Sequence, residues 1–402
     1  MNIKSTCKIF IDIASLSDDL LGNLSDTQKN KICPYVYFSE EEGEKGFVQL
    51  ISCKLPLHLG TTTALKVSKV TGIADTGSGI NITTATASSK IVPANTAVVI
   101  SYTGSYPTSF MTSVSLADES DTPADHSDNL LIPTDVEKNL VSANNVNYYK
   151  LNTASTKDNI QFEKIESATD IPAGSGYLAI MTLDGDENTD YADAIAAHNG
   201  ERVTMNFTRG ITAGKWSTIC LPFDLNSSQQ TSVFGADVEV AKLTNESTES
   251  TLKFATLSDE TMEANKPYAI KVASDFSTAT IPNVTLSYAT PTPSVTAGDW
   301  TFTGVYTPGN IPADRYFFSD NKLWRAADDT NTIKAFRGYF TNNSGAGARE
   351  VDFSVDGELT GIRTIESGVQ DVENEYFDLQ GRKVAQPTKG LYIVNGKKII
   401  VK

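Results

Sequence analysis

Three histidines, four cysteines and 49 Asp plus Glu are the groups with which this 402-residue chain could run hydrolytic, redox or metal chemistry. Their spacing supports none of these. His58, His126 and His198 have no partner at metal-ligand or triad spacing, so each reads as a surface or helix-face residue. Cys7, Cys33, Cys53 and Cys220 lack metal-ligand spacing, and three of them fall in the first 53 residues, which excludes a disulfide-rich scaffold. Cys220 lies between Ile219 and Leu221 and reads as a buried, inert thiol. Asp184, Asp186, Asn188 and Asp190 alternate as in a calcium loop. Thr189 stands where such a loop needs Gly, however, and Ile195 where it needs a bidentate Glu. A solvated linker with acids at a helix start is the better account. No Gly-Xaa-Ser-Xaa-Gly elbow or phosphate loop occurs, and Gly77-Ser78-Gly79 is an ordinary turn. The chain therefore reads as non-enzymatic, with no catalytic residue, no cofactor and no metal. One binding chemistry stays open: Trp216, Trp300, Tyr316 and Trp324 supply flat rings for carbohydrate stacking, or pack in a core, which their alternating positions favour.

The elements that carry these residues are short strands. At roughly 150 residues per domain the chain holds two or three domains. Its 33 Lys plus Arg against 49 Asp plus Glu give a net charge of −16, which argues against nucleic acid as a partner. No run of eighteen apolar residues exists, so no transmembrane helix is expected. From about residue 62 the chain becomes Thr-, Ser-, Val- and Ile-rich in short alternating runs broken by Gly, Pro, Asn and Asp. Trp300, Phe302 and Val305-Tyr306 around Thr301 and Thr303 give a strand one apolar and one polar face. Ser319-Asp320-Asn321-Lys322 reads as a hairpin turn. Two short helices are expected. One is capped by Thr189, with Tyr191, Ala194, Ile195 and His198 on its apolar face and Gly200 as its stop. The other runs from Ser227 to Phe234 and stops at Gly235. Near the start, Asp18 to Leu24 supports a further short helix.

Four segments recur in the same order. Leu65-Lys66-Val67 matches Ala241-Lys242-Leu243, and Pro93-Ala94-Asn95 to Ile100 matches Glu263-Ala264-Asn265 to Ile270. Tyr148 to Leu151 matches Tyr316 to Ser319, and Gly176-Tyr177-Leu178 matches Gly338-Tyr339-Phe340. The separations drift from 176 through 170 and 169 to 162 residues, as loop insertions and deletions produce. The Asn of each Ala-Asn pair suits a left-handed turn before a strand. This pattern points to a duplication.

Two stretches resemble known families. Val203-Thr204-Met205-Asn206-Phe207-Thr208-Arg209, then Lys215-Trp216-Ser217-Thr218-Ile219-Cys220-Leu221-Pro222-Phe223-Asp224 and Phe234-Gly235, are similar to a recurrent module of Bacteroidetes surface proteins, to which no activity is attached. Residues 375–384 and 389–402 resemble the C-terminal sorting domain of type IX secretion. The residues that carry this likeness are Tyr376, Leu379, Gly381, Arg382, Gly390, Tyr392, Asn395, Gly396 and Lys397, and Phe377 is an insertion in the usual Tyr-Asp pair. The resemblance implies a sorting signal read by the type IX secretion machinery, and an extracellular or outer-membrane surface location. Independently of it, Asn395-Gly396 is a hairpin signal, and Arg382, Lys383, Lys389, Lys397, Lys398 and Lys402 against Asp378 make a basic patch on an acidic protein. At the other end Lys8 and Asp12 interrupt the only apolar run that a secretory leader would need. The protein then either stays inside the cell or has its true start missing from this sequence.

The expectation is an all-β fold: two related β-sandwich-like modules, a small C-terminal antiparallel β sorting domain, and few short helices. The boundaries are a poorly defined N-terminal segment at 1–61, modules at 62–182 and 201–356, an acidic linker with a short helix at 183–200, and the sorting domain at 357–402. The function expected is a secreted or cell-surface scaffold for binding, adhesion or spacing, whose ligand is a glycan or another surface protein. A polysaccharide-acting enzyme fragment or carbohydrate-binding protein is the alternative.

Overall fold

The computed structural model describes residues 9–12, 23, 32–38, 48–60, 63–75, 80–103, 110–117, 121–123, 125–143, 145–290, 292–344, 350–366, 376–377, 383–384, 390–394 and 397–401. Apart from Asn23, the helix expected over 18–24 lies outside them. With 50% strand and 5% helix the protein is an all-β fold.

Its strands stack in layers. The first layer has the order Val48–Cys53, Thr96–Tyr102, Leu65–Asp75, Ile80–Thr86. The second runs Phe162–Lys164, Val146–Leu151, Gly176–Asp184, Arg202–Ile211, Phe276–Thr285. The third layer is an eleven-stranded sheet. Its first four strands are Ser217–Cys220, Pro267–Lys271, Glu239–Leu243 and Thr251–Thr256. Asp352–Val355 and Glu358–Glu366 then bridge to Lys322–Arg325, Tyr316–Ser319, Arg337–Asn342, Trp300–Val305 and Ser294–Ala297. This sheet doubles back on itself around Trp216, Phe254, Trp300, Phe302, Tyr316, Phe340 and Phe353.

Layering explains the apolar runs that alternation alone does not. In Thr96–Tyr102, Ala97 and Val99 face the second layer, while Val98 and Ile100 face a core closed by Leu57, Leu59 and Val92. In Gly176–Asp184, Leu178 and Ile180 face the first layer; Tyr177, Ala179, Met181 and Leu183 face the third. A strand covered on both faces has no polar side to show. At about 1.5–3 kcal/mol per large apolar side chain, these strands outweigh the surface ion pairs, each worth at most about 1 kcal/mol.

The same strand order occurs twice. The first layer and the opening four strands of the large sheet are connected alike, with Val48–Cys53 standing where Ser217–Cys220 stands. Ile132–Pro133, Lys138–Leu140, Val146–Leu151, Phe162–Lys164, Thr169–Ile171 and Gly176–Asp184 pair among themselves as Trp300–Val305, Gly309–Asn310, Tyr316–Ser319, Lys322–Arg325, Thr332–Ile333 and Arg337–Asn342 do. Asn95 and Asn265 both adopt positive φ, 55° and 62°, and their amides bond to Cys53 O and Leu221 O at 2.8 Å each. A Cβ added to Gly176 or Gly338 would sit 2.8 Å from Ile132 O or 2.7 Å from Thr303 O, the carbonyl of the paired strand in each case. The correspondence begins at Val48, not at residue 62, because the bridge Leu57–Val92 has its counterpart in Leu225–Met262.

The two regions expected as modules meet within one sheet. Gly176–Asp184 pairs in parallel with Arg202–Ile211, so residues 183–200 are a crossover, which a parallel pair requires. Its helix, Ala192–Ala197, buries Ala194 and Ile195, with Tyr191 and His198 buried beside them. Thr189 does not cap it; Asp190 Oδ1 accepts from the Ala192 amide at 2.9 Å. The helix Ser227–Phe234 starts with a capping box between Asn226 and Gln229 and ends at Gly235, φ 100°.

The expected boundary at 357 falls inside a hairpin, since Glu358–Glu366 pairs with Asp352–Val355 and, in parallel, with Lys322–Arg325. Beyond it, Lys383–Val384, Tyr376–Phe377, Gly390–Val394 and Lys397–Val401 form an antiparallel sheet whose strands pair only with one another among the described residues.

Candidate functional site

A cleft of about 300 Å³ opens between the segment that leaves the second layer after Arg202–Ile211 and the hairpin turn after Tyr316–Ser319. Asp320 and Asn321 sit at φ 50° and 57°, the paired left-handed geometry of a tight hairpin turn, which short polar side chains tolerate. The turn is tied to the facing segment twice. Asn321 Oδ1 accepts from the Trp216 amide at 3.1 Å, and Lys215 Nζ donates to Asp320 Oδ1 at 2.5 Å. That donated hydrogen bond holds the Asp320 carboxyl below its ordinary value.

Trp216 lines the cleft at only 7% exposure, because the Lys271 ammonium lies 5.1 Å above its ring and Phe353 packs edge-on at 5.4 Å. The four rings expected to stack a sugar do not share a surface. Trp300 and Tyr316 are sealed in the core at 0% exposure, edge to face at 5.1 Å, with Trp300 Nε1 donating to Thr248 O. No ligand reaches them. Trp324 is half-buried and donates from Nε1 to Ser319 O at 3.0 Å.

Two further clusters involve residues that spacing left unassigned. Tyr148 donates to Glu201 Oε2 at 2.6 Å, and His198 Nδ1 lies 3.2 Å from the same oxygen. The His198 side chain is raised in pKa by that hydrogen bond against the opposing effect of burial, and Glu201 is lowered by it. Burial and the same carboxylate push the Tyr148 phenol far up. The i,i+3 spacing of His198 and Glu201 was a usable signal; Tyr148, fifty residues earlier, was not.

The second cluster surrounds Arg209, the residue that closes the strand Val203 to Arg209 in the sequence motif. It is fully buried, donating from Nη1 to Phe336 O at 2.9 Å and from Nη2 to Ser217 Oγ at 2.8 Å. Burial drives its pKa down. Nearby Asp186 accepts from the Gly210 amide and from Arg337 Nη2; burial raises its carboxyl, and these bonds outweigh that to leave it lowered. The acidic run is thus built into the structure: Asp184 Oδ1 accepts from the Asp186 amide, and Asp190 Oδ1 also accepts from Thr307 Oγ1. Cys220 is fully buried, and burial pushes its thiol up to about 12, as an inert thiol requires. His58 and His126 are half-buried and stand apart from these clusters.

Of the sorting residues, Tyr376 pairs with Val384 and Val394, Gly390 with Val401, Tyr392 with Ile399 and Lys397 with Val394. Leu379, Gly381, Arg382, Asn395 and Gly396 lie outside the described residues. Among the described residues no three His, Cys, Asp or Glu gather as metal donors, and no helix is long and apolar enough to cross a membrane. No family model, curated protein or solved structure matches this chain.

Proposed function

We propose that this chain is a non-enzymatic scaffold displayed on, or released from, a bacterial surface, built from a duplicated β-unit and exported through its C-terminal residues. The observation that carries the reading is the separateness of the terminal sheet: its strands bond to one another and to no strand of the layered stack among the described residues. An address that machinery must grasp and remove has to leave the folded body intact when it goes. The doubled strand order and the matched Asn95 and Asn265 support the duplication, and the layered cores support a rigid spacer or display platform. The motif resemblance supplies the route, type IX secretion.

Truncation after Glu366 tests the reading in one protein. The shortened chain is expected to unfold at the same temperature as the full chain and to remain in the periplasm of a type IX-competent host when given a leader. A large fall in melting temperature would make the terminal sheet part of the fold and sink the proposal.

A further inference from the structure

The geometry points to the cleft between residues 212–216 and 319–321 as a binding site for a neutral sugar of one or two hexose rings. Its volume, about 300 Å³, is at the lower end of small-ligand pockets. Its two charged lining side chains, Lys215 and Asp320, pair with each other, so no full unpaired charge lines the cleft. What the cleft does offer is unspent hydrogen-bonding capacity from both sides. The hydroxyls of Thr212 and Ser319 and the Asn321 side-chain NH2 make no hydrogen bond to described residues, and the Lys215 and Asp320 side chains bond only to each other among them. Donors and acceptors beside an aromatic wall suit sugar hydroxyls better than an apolar ligand. The left-handed turn at Asp320 and Asn321, bonded to the Trp216 amide, fixes these groups before a ligand arrives. Because Lys271 covers one face of Trp216, the ring contributes a wall and not a stacking platform. Recognition then rests on hydrogen bonds exchanged with water, so weak binding is expected.

This site is independent of the export address, and the two fail separately. Calorimetric titration of the full chain with glucose, galactose, mannose and N-acetylglucosamine tests it, alongside Thr212→Val, Ser319→Ala and a remote control, Thr153→Val. At least one sugar is expected to give saturable binding that each cleft variant weakens about fivefold, one hydrogen bond's worth, and the control leaves unchanged. Saturable binding to none of the four sugars would overturn the inference, as would binding that neither cleft variant weakens.

Discussion

Arg209 Nη1 donates to the carbonyl oxygen of Phe336 at 2.9 Å, and that same oxygen accepts from the Cys220 amide at 3.3 Å. One carbonyl therefore ties the second layer to the third. Phe336 stands at φ 60°, a backbone region costly for a bulky side chain, and its neighbours hold it there.

Truncating this guanidinium removes packing from a fully buried position. Arg209→Ala is expected to lower stability by about 2–5 kcal/mol. Arg209→Met fills most of the space and relieves the cost of burying a charge without a direct carboxylate partner, so it should recover most of the loss. Urea midpoints of the two variants check this. Equal damage from Met and Ala would mean that the two hydrogen bonds dominate over packing.

The His198–Glu201–Tyr148 cluster makes stability depend on pH with a defined sign. His198 has a raised pKa in the fold, so its contribution is complete below the ordinary 6.5 and fades as pH rises through the higher folded value. Glu201 has a lowered pKa, so its contribution is present above the ordinary 4.5 and fades as pH falls through the lower folded value. The cluster is therefore most stabilising between those two ordinary values. Urea midpoints measured from well below pH 4.5 to well above pH 6.5 should show a wild-type advantage over Glu201→Gln that is flat between those values and shrinks beyond them on both sides. A pH-independent gap between the two proteins would contradict the assignment.

The two left-handed asparagines separate a backbone role from a side-chain role. Glycine accepts positive φ freely, so Asn95→Gly should change stability by no more than about 0.5 kcal/mol. Asn265 also accepts from Tyr306 OH at 2.8 Å and donates to Ser287 Oγ at 2.9 Å. Asn265→Gly should therefore cost about 1–3 kcal/mol. Thermal melts of the pair decide the matter, and equal costs would show that the side-chain bonds of Asn265 carry little.

Local chemistry was legible in the sequence wherever it was decided by neighbours along the chain. The alternation in Trp300–Val305, the helix Ser227–Phe234 with its Gly235 stop, the Asp320-Asn321 turn and the positive φ of Asn95 and Asn265 all follow from adjacent residues. Features set by distant strands were hidden. Residue type does not distinguish a Trp300 sealed beneath Tyr316 from one lining a groove. The parallel pairing of Gly176–Asp184 with Arg202–Ile211 turns an apparent linker into a crossover, and no local signal announces it. The counterpart of Val48–Cys53 was hidden because a six-residue strand carries too few positions for a pattern to show. The cleft was hidden too, because Lys215 and Asp320 lie 105 residues apart.

The most direct test of the account is to fuse residues 367–402 to a leader-bearing reporter in a type IX-competent host and measure where the reporter accumulates. The account predicts recovery at the cell surface or in the medium, with the tail removed. A reporter held in the periplasm with its tail intact would contradict it.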